Sequence, residues 1–250
     1  MQSPQDTFSG YSRLLERLGR ALGVPIELVQ RRTYAEVNDL LVAGKIDAAI
    51  LCTGGYLDLE HDNPGTTELL AVPVIRGEST YRSYLVVRAG SQIRSLADLR
   101  GKRFAYSDQL SLSGRLYVLH LLAEDGEDSG SFFGAVQYTG SHDRSLDAVV
   151  REAVDGAAVD SLVFDPIVAT RPEIARAVRV IHRSPAFGAA PVVASTRLPP
   201  ARREQLRSAL LALAEDEEGA AALRVVGFDG FGLPTPNLYD SAAHVVRSGR

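Results

Sequence analysis

The chain has 250 residues, 45% of them hydrophobic and 23% charged, a composition that suits a globular protein built as one large domain or two lobes. Its net charge of −4 lacks the basic surface that a nucleic-acid-binding domain carries, so any anion has to be held locally. A single cysteine, Cys52, excludes an intramolecular disulfide, and no run of about 18 apolar residues is present to cross a bilayer.

The first six residues lack the basic and apolar regions of a secretory signal. The protein is therefore expected in the cytoplasm if Met1 is its native start, and in the periplasm or another extracytoplasmic space if a signal has been removed. Leu14, Leu15, Leu18 and Leu22 fall at helical spacing, and Gly23 with Pro25 ends that helix before a strand predicted over 26–30. Thr33 can cap a second helix over 34–43, stopped by Gly44. The apolar run 45–51 then reads as a buried strand of a parallel sheet covered on both faces, with Cys52 inert at its end. Strands are predicted over 69–75 and 84–87, and a short helix over 95–101 closed by glycine.

The alternation then repeats, with strands over 102–107, 135–138, 156–160 and 177–182 and helices over 114–124, 143–153 and 161–169. This pattern predicts a doubly wound α/β architecture. A weak internal echo, residues 41–50 against 150–159, supports two similar lobes. Past residue 184 the pattern breaks at Ser184, Pro185 and Gly188, then resumes with a strand over 191–195 and an amphipathic helix over 202–215 that turns Leu206, Leu210 and Leu213 inward. Turn residues near 78–84 and 183–189 mark the crossings between lobes. Lobe 1 is thus expected from 1–82 and 185–250, lobe 2 from 83–184, with a ligand cleft between them.

Ser111, Leu112, Ser113 and Gly114 stand between a predicted strand and a predicted helix, where unpaired N–H groups and the positive end of the helix dipole form a cradle for an oxyanion. Two readings fit these residues: a serine capping its own helix, or a hydroxyl turned toward a ligand. No Gly-x-Ser-x-Gly elbow, no metal-spaced His and Cys set and no phosphate-binding Walker loop is present, which argues against an enzyme.

Tyr81-x-Ser83, Ser95-Leu-x-Asp-Leu-x-Gly101, Ser111-x-Ser-Gly114, Gly140-Ser-His142, the run 154–161 and Ser184-Pro185 together resemble the phosphonate-, phosphite- and phosphate-binding proteins of ABC importers. The resemblance runs over roughly residues 11–240. It implies the type II periplasmic-binding fold, two α/β lobes joined by a two-strand hinge that close on a ligand, with no cofactor, no metal and no catalysis. It implies a membrane permease as partner and a monomer in solution.

Carried onto this sequence, the family pattern makes Ser111, Ser113 and the N–H groups of Ser113 and Gly114 the phosphoryl-oxygen donors, joined by His142 and by the hydroxyls of Tyr34 and Tyr81. Packing is the competing role for each tyrosine. Asp160, at a strand end, can accept a hydrogen bond from a ligand P–OH or cap the following helix. Family members that take aminoalkyl phosphonates place acidic groups against the amine, and here those places hold Leu162 and the pair Ala189 and Ala190. A small ligand without an ammonium group is therefore expected: phosphite, phosphate or methylphosphonate. A sensor domain with the same cleft, or less favourably an enzyme, are the competing classes. The family also begins with a strand and then a loop that residues 3–6 would represent, so the first strand of lobe 1 is expected to be missing, through a late start codon or truncation.

Overall fold

The structure, a computed structural model, describes residues 4–248, with side chains described from residue 10 onward. In chain order its elements are α1 (Pro4–Leu22), α2 (Tyr34–Val42), β1 (Ala48–Ile50), α3 (Thr53–Asp62), β2 (Thr67–Val74), β3 (Thr80–Tyr81), β4 (Ser83–Arg88), β5 (Arg103–Tyr106), α4 (Tyr117–Glu124), α5 (Ser129–Phe132) and β6 (Ala135–Tyr138). There follow α6 (His142–Val150), β7 (Gly156–Asp160), α7 (Ser161–Thr170), α8 (Pro172–Ala177), β8 (Val178–Arg183), β9 (Phe187–Gly188), β10 (Val192–Ser195), α9 (Pro200–Leu211), α10 (Glu217–Val225), β11 (Gly230–Gly232) and α11 (Asp240–Ser248). A π-helical turn, Leu112–Leu116, leads directly into α4. The chain forms two compact units, one from Tyr81–Phe187 with residues 241–248, the other from residues 4–80 and 188–240.

In the first unit a five-stranded sheet runs in the order β6-β5-β7-β4-β8. β5 is parallel to β6 and β7, whereas β4 is antiparallel to β7 and β8. Strand residues alternate between two cores, as the two-residue period of a strand requires. Leu85, Val87, Phe104, Tyr106 and Ala158 face one cluster, while Tyr84, Val86, Ala105, Ala157 and Val159 face the other. Helices cover both sheet faces, so the ends of β5 and β7 are the places where polar side chains can gather.

The second unit carries a four-stranded sheet, β1-β10-β2-β11, in which every pairing is antiparallel. Leu70, Val192 and Ala194 pack on one side with Leu14 and Leu18 of α1, and Val193 packs on the other with Leu41, Leu51 and Leu59. Strands β3 and β9 pair as a separate two-stranded ribbon.

The lobes are thus α/β, but their sheets are mixed or antiparallel rather than doubly wound parallel layers. Residues 45–51 yield only the three-residue β1, an edge strand that pairs with β10 alone and leaves Ile50 39% exposed. Residues 26–30 are not a strand: among the described residues nothing pairs with them, and a strand exists only by its ladder. Val24 before this stretch and Val29 within it are exposed, while Ile26 and Ala48 of β1 pack against the core cluster of Leu14 and Leu18. The loop expected over 3–6 also differs, since Pro4 opens α1, where its missing N–H costs nothing; Ser3 lies outside the described residues.

The second helix forms as read from the chain. Thr33 accepts the Glu36 N–H at 3.3 Å and Glu36 accepts the Thr33 N–H at 3.1 Å, a reciprocal cap, and Gly44 follows at φ +66°. Helix α3 lies in a stretch for which the sequence predicts no element. It packs on α2, where the Asn38 side-chain amide donates to the Gly55 carbonyl at 2.9 Å.

Candidate functional site

The chain leaves β5 at Ser107, turns through Asp108, and enters the π-helical turn at Ser111. Two carbonyl contacts make that turn: the Arg115 N–H at 3.0 Å and the Leu116 N–H at 2.9 Å both donate to the Ser111 carbonyl. Ser111 sits extended at the N-cap, and its hydroxyl oxygen accepts the Gly114 N–H at 3.0 Å. That bond fixes the direction of the remaining proton. The Ser111 oxygen is engaged as acceptor, which frees its O–H to donate outward. The Gly114 N–H, expected as a ligand donor, is instead spent inside the turn.

His142 opens α6 and is fully enclosed, at 1% exposure. Its Nδ1 accepts the Asp160 backbone N–H at 3.2 Å, and its Nε2 lies 3.4 Å from the Ser111 hydroxyl oxygen. Acceptance at Nδ1 puts the proton of the neutral ring on Nε2, at the ring edge beside Ser111, and the long 3.4 Å contact leaves that N–H available to a ligand oxygen. Burial holds the imidazole well below its usual range, so it stays uncharged near neutrality.

Asp160 ends β7 and caps α7, its carboxylate accepting the Leu162 N–H at 2.7 Å. The Ser113 hydroxyl lies near the same carboxylate and favours its ionised form. Burial pushes this acid up to about 6, with Asp165 adding to the rise, against the opposing pull of the Leu162 N–H and Ser113. Asp160 still reaches solvent in part, so the shift reflects crowding by protein rather than complete enclosure.

Gly114 lies where these groups meet. A side chain built there would strike the Ser107 hydroxyl, and would stand 2.8 Å from both the His142 ring carbon Cε1 and the Ser111 hydroxyl. Glycine is the residue type that lets these side chains close in so tightly.

Five of the expected residues, Ser111, Ser113, Gly114, His142 and Asp160, are thus brought together at the ends of β5 and β7. Tyr81 belongs to the same unit and is buried, with its ring edge-on to Phe187 at 6.5 Å. Tyr34 belongs to the other unit, where it is the first residue of α2 and is also buried.

The supporting serines were quoted within motifs yet given no role. Ser83 Oγ donates to the Ser113 carbonyl at 2.6 Å, and the Ser83 N–H donates to the Ser184 hydroxyl at 2.8 Å. Together they pin the cradle to β4 and to the end of β8. Ser107 and Ser141 were overlooked as hydroxyls: both are 1% exposed, and neither side chain has a partner among the described residues. A serine closing a strand otherwise made of Phe104, Ala105 and Tyr106 was the available signal. Among the described residues, no group of three or more His, Cys, Asp or Glu side chains is placed to hold a metal ion.

The fold and this polar cluster match known proteins. Residues 1–239 match the family described as the phosphonate periplasmic substrate-binding proteins of ABC transporters, and the chain belongs to that family. It is 32% identical over 171 residues to the phosphate-import protein PhnD of Mycolicibacterium smegmatis, an alignment covering 65% of this chain and 53% of that one. The chain thus spans about half the length of that relative. It is 25% identical over 235 residues to the phosphonates-binding periplasmic protein of Escherichia coli, covering 92% and 69% of the two chains.

Among solved structures, a binding-protein component of an ABC phosphonate transporter from Pseudomonas aeruginosa superposes with a TM-score of 0.89 at 22% identity, over 98% of this chain and 82% of that one. PhnD1 of Prochlorococcus marinus, in complex with methylphosphonate, gives 0.86 at 18% identity, over 98% and 94%. Both have the fold of this chain, two α/β lobes of the type II periplasmic-binding kind.

Proposed function

We propose that this protein is the substrate-binding component of an ABC importer and that its substrate is a small phosphorus oxyanion. The observation that carries this reading is the convergence of Ser111, Ser113, His142 and Asp160 on the helix start at Gly114. Outward O–H and Nε2–H donors beside a helix N-terminus stabilise negative charge on oxygen. An acid raised by burial then accepts a hydrogen bond from a P–OH group, and repels an anion that carries no proton. Sulfate, fully ionised at neutral pH, is disfavoured on that ground. Leu162, Ala189 and Ala190 offer no carboxylate to an amine, which disfavours 2-aminoethylphosphonate.

In this reading the lobe 1 expected over 1–82 and 185–250 corresponds to the unit 4–80 and 188–240, and the lobe 2 expected over 83–184 to the unit 81–187 and 241–248, with β3 and β9 as the hinge. The two lobes close on the ligand, with Tyr34 and Tyr81 contributing hydroxyls as they do so, and the closed form engages a membrane permease. The chain acts as a monomer without catalysis. It works outside the cytoplasmic membrane, in keeping with the periplasmic description of its family.

Calorimetry with phosphate, phosphite, methylphosphonate, sulfate and 2-aminoethylphosphonate tests the reading. A bound ligand at 100 times its Kd adds about 2.7 kcal/mol of stability, which a thermal-shift assay resolves. Tightest binding of the aminoalkyl compound, or of sulfate, refutes the ligand class. Turnover of a phosphonate ester by the pure protein refutes the non-enzymatic role.

A further inference from the structure

Ser107 and Ser141 are buried hydroxyls that the fold does not use. The Ser107 backbone is pinned at both ends: its N–H donates to the Gly114 carbonyl at 3.3 Å and its carbonyl accepts the Gly140 N–H at 2.9 Å. This fixes its side chain against Gly114, at the point where the Ser111 hydroxyl and the His142 ring also converge. The Ser107 hydroxyl nevertheless has no hydrogen-bond partner. Ser141, one residue past Gly140, occupies the N-cap of α6, where a serine hydroxyl normally accepts an N–H of the first turn. Here it makes no such bond, and its hydroxyl is also buried and unpartnered.

A buried hydroxyl without a partner destabilises the fold, and alanine in its place would remove that cost. Two of them on adjoining loops, both beside the cradle, are therefore better matched to a ligand than to the protein. The other groups are already committed. Ser111 and His142 offer one donor each, and Asp160 accepts from a single P–OH. With the Tyr34 and Tyr81 hydroxyls that join on closure, these serve the three oxygens that phosphite and methylphosphonate carry, and the two unpartnered serine hydroxyls remain for a fourth.

We propose that Ser107 and Ser141 are additional ligand-binding residues whose hydroxyls hold a fourth oxygen, so that the site prefers phosphate to phosphite and to methylphosphonate. In the latter two, a hydrogen or a methyl group faces these hydroxyls and leaves them unsatisfied. A site built to hydrogen-bond a group discriminates against an analogue that lacks it. The inference rests on the oxyanion-binding reading above and narrows it to one ligand.

The test is calorimetry of the full chain with phosphate, phosphite and methylphosphonate, repeated on Ser107→Ala and Ser141→Ala. Phosphate is expected to bind about tenfold or more tighter than the other two, and each variant to lose about tenfold for phosphate alone. Thermal unfolding without ligand verifies that the variants fold, and Ser107→Cys, similar in size but a weak donor, replaces Ser107→Ala if that variant does not. Phosphite or methylphosphonate binding as tightly as phosphate overturns the preference. Variants that weaken all three ligands equally, or none, overturn the role of the two serines. Failure of all three to bind the wild-type chain instead overturns the oxyanion reading on which the preference rests.

Discussion

The backbone N–H of Asp160 donates to Nδ1 of His142 at 3.2 Å, so the residue that caps α7 also sets which face of the imidazole carries its proton. The two strongest polar groups of the cluster are therefore oriented as a pair. Moving either one displaces the other.

His142→Gln keeps a donor but not the ring that spans from Asp160 to Ser111, and is expected to weaken anion binding by about tenfold or more, as loss of a charge-assisted hydrogen bond does. The same variant has a signature in stability. The buried ring resists protonation, whereas in the unfolded chain it takes up a proton near pH 6.5. The unfolded state then binds more protons, so this residue's contribution to stability falls as pH drops below about 6.5. Relative to wild type, His142→Gln should gain in melting temperature between pH 7 and pH 5, and an unchanged difference would exclude a buried neutral imidazole.

Asp160 works in the opposite direction. Its carboxyl is pushed up to about 6 in the folded protein, above the value of about 4 for an exposed aspartate. Between those two points the folded state binds the extra proton, so stability is lost as pH rises through that window. Asp160→Asn should therefore melt higher than wild type at pH 8 and equally at pH 4, by about 2–4 °C for each kcal/mol removed. It should also admit sulfate, because no carboxylate remains to repel a fully ionised anion; a variant that still refuses sulfate would leave the selection unexplained.

Gly114→Ala brings a methyl group onto the hydroxyls of Ser107 and Ser111 and the edge of His142. Overpacking of this kind costs about 1–3 kcal/mol, and here it falls on the binding groups themselves. Loss of phosphate binding with a folded circular-dichroism spectrum is expected. Adding Ser107→Gly should restore part of the stability, and a double variant no better than the single would place the strain elsewhere.

Much of this cluster was legible in the chain because it is local. Ser111, Ser113 and Gly114 lie within one turn, and His142 and Asp160 each stand at a boundary that glycine and the apolar pattern mark. Ladders are not local. Residues 26–30 have strand composition and no partner, and 45–51 have the apolar run of a buried strand but form a short antiparallel edge. Helix α3 opens on Thr53, Gly54 and Gly55 without a side-chain cap, so neither a capping signal nor helix propensity marks its start. Ser107 and Ser141 escaped notice for a related reason: only the surrounding atoms reveal that a hydroxyl has no partner.

The edge of β1 makes a prediction about handling. A strand paired on one side, with Ile50 exposed, is a template for pairing with another chain. At concentrations well above those at which the chain acts as a monomer, light scattering should show self-association that Ile50→Lys suppresses. Equal scattering from both proteins would show that this edge is not the sticky surface.

The π-helical turn at Leu112–Leu116 closes its ring one residue wider than an α-helix would, through the Leu116 N–H and the Ser111 carbonyl. Such a turn is an α-helix that has accepted one extra residue and kept it. Deleting Arg115 or Leu116 would let α4 continue as an ordinary helix, with a better hydrogen-bond ladder, while rotating Ser111 and Ser113 together by about 100° around the helix axis relative to α4. The cluster thus persists as an insertion whose removal would make a sounder helix and an empty-handed protein.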